Sequence, residues 1–236
     1  MIRLAVFASG GGTTARYILE QTFPGGSLHG LVEVPCLVTS RKSIKAVDKF
    51  LASDFAGTIY TCDKREFSPV DYEQTILEIL HHEKIDWFGQ YGWLPKMPAV
   101  VANTFRGINQ HPAPVPHFGG KGMYSRAPHQ AVINFARITE RSVTTVATAQ
   151  LVAVEYDLGG ILAEVPLEFN PNWDAEELQA RLLPLEWQCQ VTALLRIAAH
   201  DGEVPPTIRS HFQLQPGEEE ILETAKEAAI TAYPKG

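Results

Sequence analysis

Cysteine is scarce in this sequence: Cys36, Cys62 and Cys189 are the three among 236 residues, and they lie far apart. No CxxC pair and no Cys/His zinc spacing occurs, so neither a disulfide framework nor a metal site is expected. Reduced thiols in a cytoplasmic protein fit the pattern. Long apolar runs are missing too. The opening MIRLAVFASGGG holds one arginine and an apolar stretch too short for a secretory signal, and no segment approaches the length of a membrane span. Basic charge is also in deficit. Lys and Arg number 20 against 27 Asp and Glu, a formal net charge of -7. Nothing there would track a phosphate backbone, so neither nucleic acid nor a membrane is an expected partner. Repeats and low-complexity tracts are absent. What remains is a composition 45% hydrophobic and 20% charged, globular and long enough to bury a sizeable core.

The chain then alternates. RLAVFAS (3–9) reads as a buried strand before a glycine cluster, and TARYILEQT as a helix. VEVPCLVTS (32–40) and GTIYTCD read as strands, with SIKAVDKFLAS as the helix between them. DYEQTILEILHHEKI (71–85) places Tyr72, Ile76, Ile79 and Leu80 on one helical face, and DWFGQYGWL follows as a fourth strand. Strand–helix alternation of this kind predicts an α/β fold, a mostly parallel Rossmann-like sheet with helices on both faces. After FRGINQHP (105–112) the rhythm changes. SRAPHQAVINFA (125–136) reads as a helix. SVTTVATAQLVAVEYD (142–157) and ILAEVPLEF (161–169) read as neighbouring strands, which makes the C-terminal part of the sheet mixed. A long helix over 174–202 starts at Asp174 as cap and ends at Gly202, with Pro184 expected to kink or break it. These boundaries divide the chain into a domain over 1–202 and a charged, weakly amphipathic helical extension over 203–236.

SGGGTTA (9–15) joins the first strand to the first helix with the spacing Gly10-x-Gly12-x-x-Ala15. Glycines admit close approach of a ligand, and amide groups at a helix start attract anions. Gly11, Gly12, Thr13 and Thr14 are therefore candidates for binding a phosphate-bearing substrate. A dinucleotide needs an acidic residue about 20 positions on. The second strand ends VTSRKS instead, where Arg41 and Lys42 suit at most a 2′-phosphate, and a purely structural turn is the third reading.

GINQHPAPVPHFGGKGMY (107–124) carries the strongest chemical signal. In an extended backbone Asn109 and His111 point to the same side. An amide can donate to a developing oxyanion, and an imidazole moves protons near neutral pH. Pro112 fixes the backbone after the histidine and biases His111 to an extended conformation. A histidine before proline is otherwise an ordinary loop residue. Asp157, in EYDLGG, supplies a carboxylate that would orient His111 and favour its imidazolium, although aspartate before glycines is also a common turn former. His81, His82 and His211 read as solvated, and His117 as either lining a cleft or exposed.

The ordered set of glycine loop, Asn-x-His-Pro, GGKGMY with His129 shortly after, Asp-x-Gly and RLLPLEW (181–187) resembles the folate-dependent formyltransferase superfamily, of the phosphoribosylglycinamide formyltransferase type, over roughly residues 2–200. The resemblance implies the formyltransferase fold and transfer of a formyl group from 10-formyltetrahydrofolate, as cosubstrate and without metal, to the amine of a small phosphorylated acceptor such as glycinamide ribonucleotide. It implies Asn109, His111 and Asp157 as the catalytic trio and Glu186 on the acceptor side. It places the pterin between QYGWLP and VEYD, with Tyr91, Trp93, Leu94, Val154 and Tyr156 as contacts. The partners it implies are small molecules, and a homodimer is compatible with it. Departures from the family pattern are Thr13-Thr14 for Ser-Asn, Leu183 for Lys or Gln, Trp187 for His, and Gln150 for a His in Thr-x-His. A folate hydrolase and a non-catalytic ligand-binding module on the same fold are the alternatives.

Overall fold

The computed structural model of the chain describes residues 1–234. The chain forms two compact units: Met1–Gln110, Leu151–Val154 and Val191–Pro205 make the first, and His111–Gln150, Glu155–Gln190 and the chain from Pro206 onward make the second. Its strands belong to a seven-stranded sheet in the order β3-β2-β1-β4-β5-β6-β7.

In the first unit β1 (Ile2–Ala8), α1 (Thr13–Thr22), β2 (Val32–Thr39), α2 (Lys45–Leu51), β3 (Thr58–Thr61), α3 (Pro69–His82), β4 (Trp87–Gln90), α4 (Ala99–Thr104) and β5 (Arg106–His111) follow one another, the last residue of β5 opening the second unit. The pairings β1–β2, β1–β4, β2–β3 and β4–β5 are all parallel. β1 and β4 are buried along nearly their whole length, as parallel strands covered on both faces are. Phe7 sits in one core cluster with Val38, Phe88, Trp93 and Met97. Its ring meets Trp93 edge-on at 5.1 Å and Phe88 at 5.7 Å. α3 buries Tyr72, Ile76, Ile79 and Leu80, the face that the sequence spacing selects. Its start is fixed by Ser68, whose hydroxyl accepts from the Asp71 amide at 3.2 Å, and by Pro69 in the first turn. α4 has no forewarning in the sequence: six residues, Ala99–Thr104, rich in β-branched side chains, are too short to show periodicity.

The second unit holds α5 (Ala127–Thr139), the antiparallel pair β6 (Thr144–Leu151) and β7 (Ile161–Glu168), most of α6 (Ala175–Ala198) and α7 (Glu219–Ala232). β6 stops at Leu151, short of the expected 157, because the chain turns and Asp157 takes the left-handed conformation at φ 55. α6 begins under Asp174, whose carboxylate accepts from the Glu177 amide at 2.8 Å. The expected break at Pro184 does not occur, and the helix continues through it. Burial of Leu178, Leu182 and Cys189 on either side outweighs the one hydrogen bond that proline forfeits. α5 and α7 pack together around Phe118, Phe135, Phe212, Leu222 and Ala225. No helix among the described residues is long and apolar enough to cross a membrane. Cys36, Cys62 and Cys189 are buried free thiols, and burial pushes them up to about 12, 11 and 12 respectively.

Replacing Phe7 by Ala removes a fully buried ring held by two edge-on aromatic contacts. The expected loss is about 3–5 kcal/mol in urea denaturation. A loss below about 1 kcal/mol would contradict the described packing.

Candidate active site

In the first unit the strand order reverses at β1. The chain moves outward through β2 and β3, then returns to the other side of β1 as β4. Ligands of open α/β sheets bind at the carboxyl ends of the strands flanking such a reversal. The two segments leaving those ends are tied to each other: the Ser9 amide donates to the Gly92 carbonyl at 3.0 Å, and the Leu94 amide donates to the Ser9 hydroxyl at 3.0 Å. Gly12 caps α1 at φ 62. A Cβ there would lie 2.3 Å from the Ala46 Cβ, so only glycine lets α2 come this close. Gly10 and Gly11 are exposed and Thr13 is half-buried, while Thr14 turns inward.

One residue at this loop escaped the sequence reading. Lys49, on α2, donates to the Thr13 hydroxyl at 3.1 Å. Desolvation, then the Arg16 and Lys45 charges, hold its ammonium below the usual lysine range. A cluster of cations at a helix start favours an anion. Nothing in the spacing between Thr13 and Lys49 announces the contact, because it depends on how α2 docks.

Of the predicted folate contacts in this unit, Tyr91 and Trp93 are buried, and Trp93 belongs to the core cluster around Phe7. Burial pushes the Tyr91 phenol up. What the segment exposes is Gly92 and Leu94, the latter 51% accessible. Val154 is also at the surface.

In the second unit the structure brings His111 and Asp157 together. Both side chains are nearly sealed from solvent, and Nδ1 of His111 lies 3.6 Å from Oδ1 of Asp157. Nε2 of His111 is 2.9 Å from the Phe118 carbonyl. A carbonyl only accepts, so Nε2 carries the hydrogen and Nδ1 is the nitrogen that faces Asp157. Asp157 accepts from the Gly120 amide at 2.8 Å on Oδ2 and from the Gln150 side-chain amide at 2.7 Å on Oδ1. A Cβ on Gly119 would fall 2.5 Å from that of Asp157, so the loop can approach the carboxylate only as glycine. The Thr148 hydroxyl pins the loop from β6 by donating to the Ala113 carbonyl at 2.9 Å. An open pocket of about 240 Å³ adjoins Asp157, walled by Val115, Pro116, Gly160, Thr207 and Ile208. Tyr156 is exposed, and Glu186 is buried on α6. Asn109 lies on β5 two residues ahead of His111, where strand alternation directs both side chains to one face.

The model of the formyl transferase family matches residues 2–194. The chain belongs to the formyl transferase family. It is 33% identical over 192 residues to the chloroplastic phosphoribosylglycinamide formyltransferase of Arabidopsis thaliana, covering 80% of this chain and 63% of that protein. To the chloroplastic phosphoribosylglycinamide formyltransferase of Vigna unguiculata it is 35% identical over 195 residues, covering 80% and 58%. The chain thus spans about three fifths of the length of these curated relatives. Among solved structures, glycinamide ribonucleotide transformylase 1 from Symbiobacterium toebii superposes with a TM-score of 0.70 at 20% identity, over 85% of this chain and 89% of that one. This likeness shows the formyltransferase fold, with its mostly parallel sheet and antiparallel C-terminal strands.

His129, on α5, is 1% exposed, and neither ring nitrogen has a hydrogen-bond partner among the described residues. Burial, then the nearby His111 charge, pushes it down to about 3. The unfolded chain takes up this proton first. The neutral imidazole therefore contributes its full stability above the ordinary value of 6.5, and that stability is lost as pH falls toward about 3. His129→Leu is expected to flatten the loss between pH 6 and 4, where the histidine contributes about 1 kcal/mol per pH unit. Urea denaturation across that range checks it, and an identical slope in both proteins would contradict a buried neutral His129.

Proposed function

We propose that the protein transfers the formyl group of 10-formyltetrahydrofolate to the amine of a small phosphorylated acceptor of the glycinamide ribonucleotide type, as the names of its curated relatives suggest. The observation that carries this reading is the buried His111–Asp157 pair, with Asn109 two residues before it on the same strand.

The acceptor amine attacks the formyl carbon. A C–N bond forms, and the carbonyl π pair moves onto oxygen. The amide of Asn109 donates to that oxyanion, and protonated His111 supplies positive charge beside it. Collapse re-forms the carbonyl and breaks the bond to N10 of the folate, which takes the proton that the amine gives up. Asp157 suits the relay because Gly120 and Gln150 fix both of its oxygens while Nδ1 of His111 stays 3.6 Å away, close enough to be steadied and loose enough to exchange a proton. Gln150 stands where the family pattern carries histidine, and its amide donates to the carboxylate without bringing a second titrating ring. On the acceptor side, the α1 start with Thr13 and Lys49 suits a phosphate. Lys49 adds a cation beside Thr13 for that phosphate. Tyr91 and Trp93 lie in the core, so pterin recognition in this reading falls to backbone groups of residues 91–94 and to Leu94.

A formyl-transfer assay with 10-formyltetrahydrofolate and a panel of amines, glycinamide ribonucleotide among them, tests the reading. Formate release without any acceptor would point to a hydrolase instead. Asn109→Ala and His111→Ala are each expected to lower kcat by about 10²-fold or more, the weight of an oxyanion donor, and losses under threefold would sink the assignment. Asp157→Asn is expected to lower kcat and displace the pH–rate profile. Full activity with an unmoved profile would remove Asp157 from the mechanism.

A further inference from the structure

The segment after Pro205 lies beyond the residues that the family model matches, yet it is fastened into the second unit at several points. The Ile208 amide donates to the Ile161 carbonyl at 2.9 Å. The Ser210 hydroxyl and the His211 amide donate to the two oxygens of Glu164 at 2.8 and 2.7 Å, and that carboxylate is 0% exposed. Further along, Arg141 grips Glu218 through two hydrogen bonds of 2.7 and 2.9 Å and donates to the Gln213 carbonyl at 3.3 Å. Phe212 lies between these anchors and is 6% exposed. Its ring meets Phe118 edge-on at 5.1 Å, Phe135 at 5.7 Å and His117 at 5.3 Å.

Phe118 is what links this cluster to the chemistry. Its carbonyl takes the Nε2 hydrogen of His111, and two residues on, the Gly120 amide donates to Asp157. One short stretch, 118–120, therefore sets both members of the His111–Asp157 pair. The glycines in it have no side chains to hold them, so its orientation depends on the Phe118 ring, clamped between Phe135 and Phe212. Ile230 of α7 adds a second prop, 3.0 Å from where a Cβ of Gly122 would stand.

We propose that Phe212 is a positioning residue for the His111–Asp157 pair, and that the C-terminal segment carrying it is a buttress of the catalytic loop. The kinetic part rests on the formyl-transfer reading; the structural part does not. Removing the ring leaves the 118–119 peptide free to rotate, and His111 loses the acceptor that fixes its tautomer.

The test uses the full chain with Phe212→Ala, and with Phe212→Leu as the conservative variant. In the wild type, imidazole ¹⁵N spectra are expected to report His111 with a hydrogen fixed on Nε2. In Phe212→Ala that signal is expected to become a tautomer average, while kcat falls at least tenfold, KM for the acceptor moves less than threefold, and the pH–rate profile broadens. Phe212→Leu is expected to fall between the two proteins in both readouts. If Phe212→Ala does not fold, Phe212→Leu and Phe118→Leu carry the same measurements, with intermediate tautomer averaging expected. A folded variant with an unchanged His111 spectrum and unchanged kcat overturns the proposal. A wild type that transfers no formyl group overturns the functional reading alone, since the ¹⁵N spectra still decide whether Phe212 positions His111.

Discussion

A carboxylate with little water around it has to be met by donors, and Asp157 is met from separate parts of the chain. The Gly120 amide comes from the loop after β5 and the Gln150 side-chain amide from the end of β6, while the His111 imidazole at the end of β5 stands 3.6 Å off. Leaving any of these oxygens unpaired in a buried setting would cost several kcal/mol. The surrounding backbone is shaped accordingly. Gly119 is glycine because the loop must touch the Asp157 side chain, β6 ends early, and Asp157 itself takes a left-handed turn. The histidine is positioned as a consequence. Its Nε2 is held by a peptide carbonyl at hydrogen-bond distance and its Nδ1 stands slightly off the carboxylate, an arrangement suited to accepting and releasing a proton.

The first unit solves a different problem. Five parallel strands, of which β1 and β4 are the most fully buried, bring the glycine loop after β1 beside the 91–94 segment after β4. These segments offer mainly backbone, because Tyr91 and Trp93 are turned into the core. Recognition by backbone tolerates sequence drift, since any residue supplies an N–H and a C=O. Lys49 illustrates the complement. Its ammonium reaches Thr13 from the neighbouring helix, within range because Gly12 lets α2 approach.

The C-terminal segment ties these ideas to packing. Aromatic rings contribute large buried area and a preferred edge-on geometry with few rotatable bonds, so a cluster of Phe118, Phe135 and Phe212 is a stiff support. Arg141 lies over two of these rings, 5.4 Å from Phe135 and 5.6 Å from Phe212, while its guanidinium grips Glu218. Burial of the rings and pairing of the charges thus reinforce one another.

Much of this was legible in the residues themselves. Apolar runs of strand length between glycines, the Tyr72–Ile76–Ile79–Leu80 face of α3 and the β-branched run of β6 are local patterns, and local patterns determine local structure. The Asn-x-His-Pro spacing likewise fixes which residues share a face of β5. The rest was not legible for a physical reason: contacts between residues far apart in the chain leave no periodic trace. Nothing in the sequence places Lys49 on Thr13, Gln150 on Asp157 or Phe212 on Phe118. Pro184 reads as a kink or a break, yet burial of its neighbours carries α6 through it, and nothing local announces that Tyr91 and Trp93 are buried. The sequence by itself determined the order of strands and helices other than α4, and the chemical groups available at β5 and Asp157. Only the tertiary structure decided which of those groups meet, because burial and hydrogen-bond pairing are settled by docking whole elements against one another.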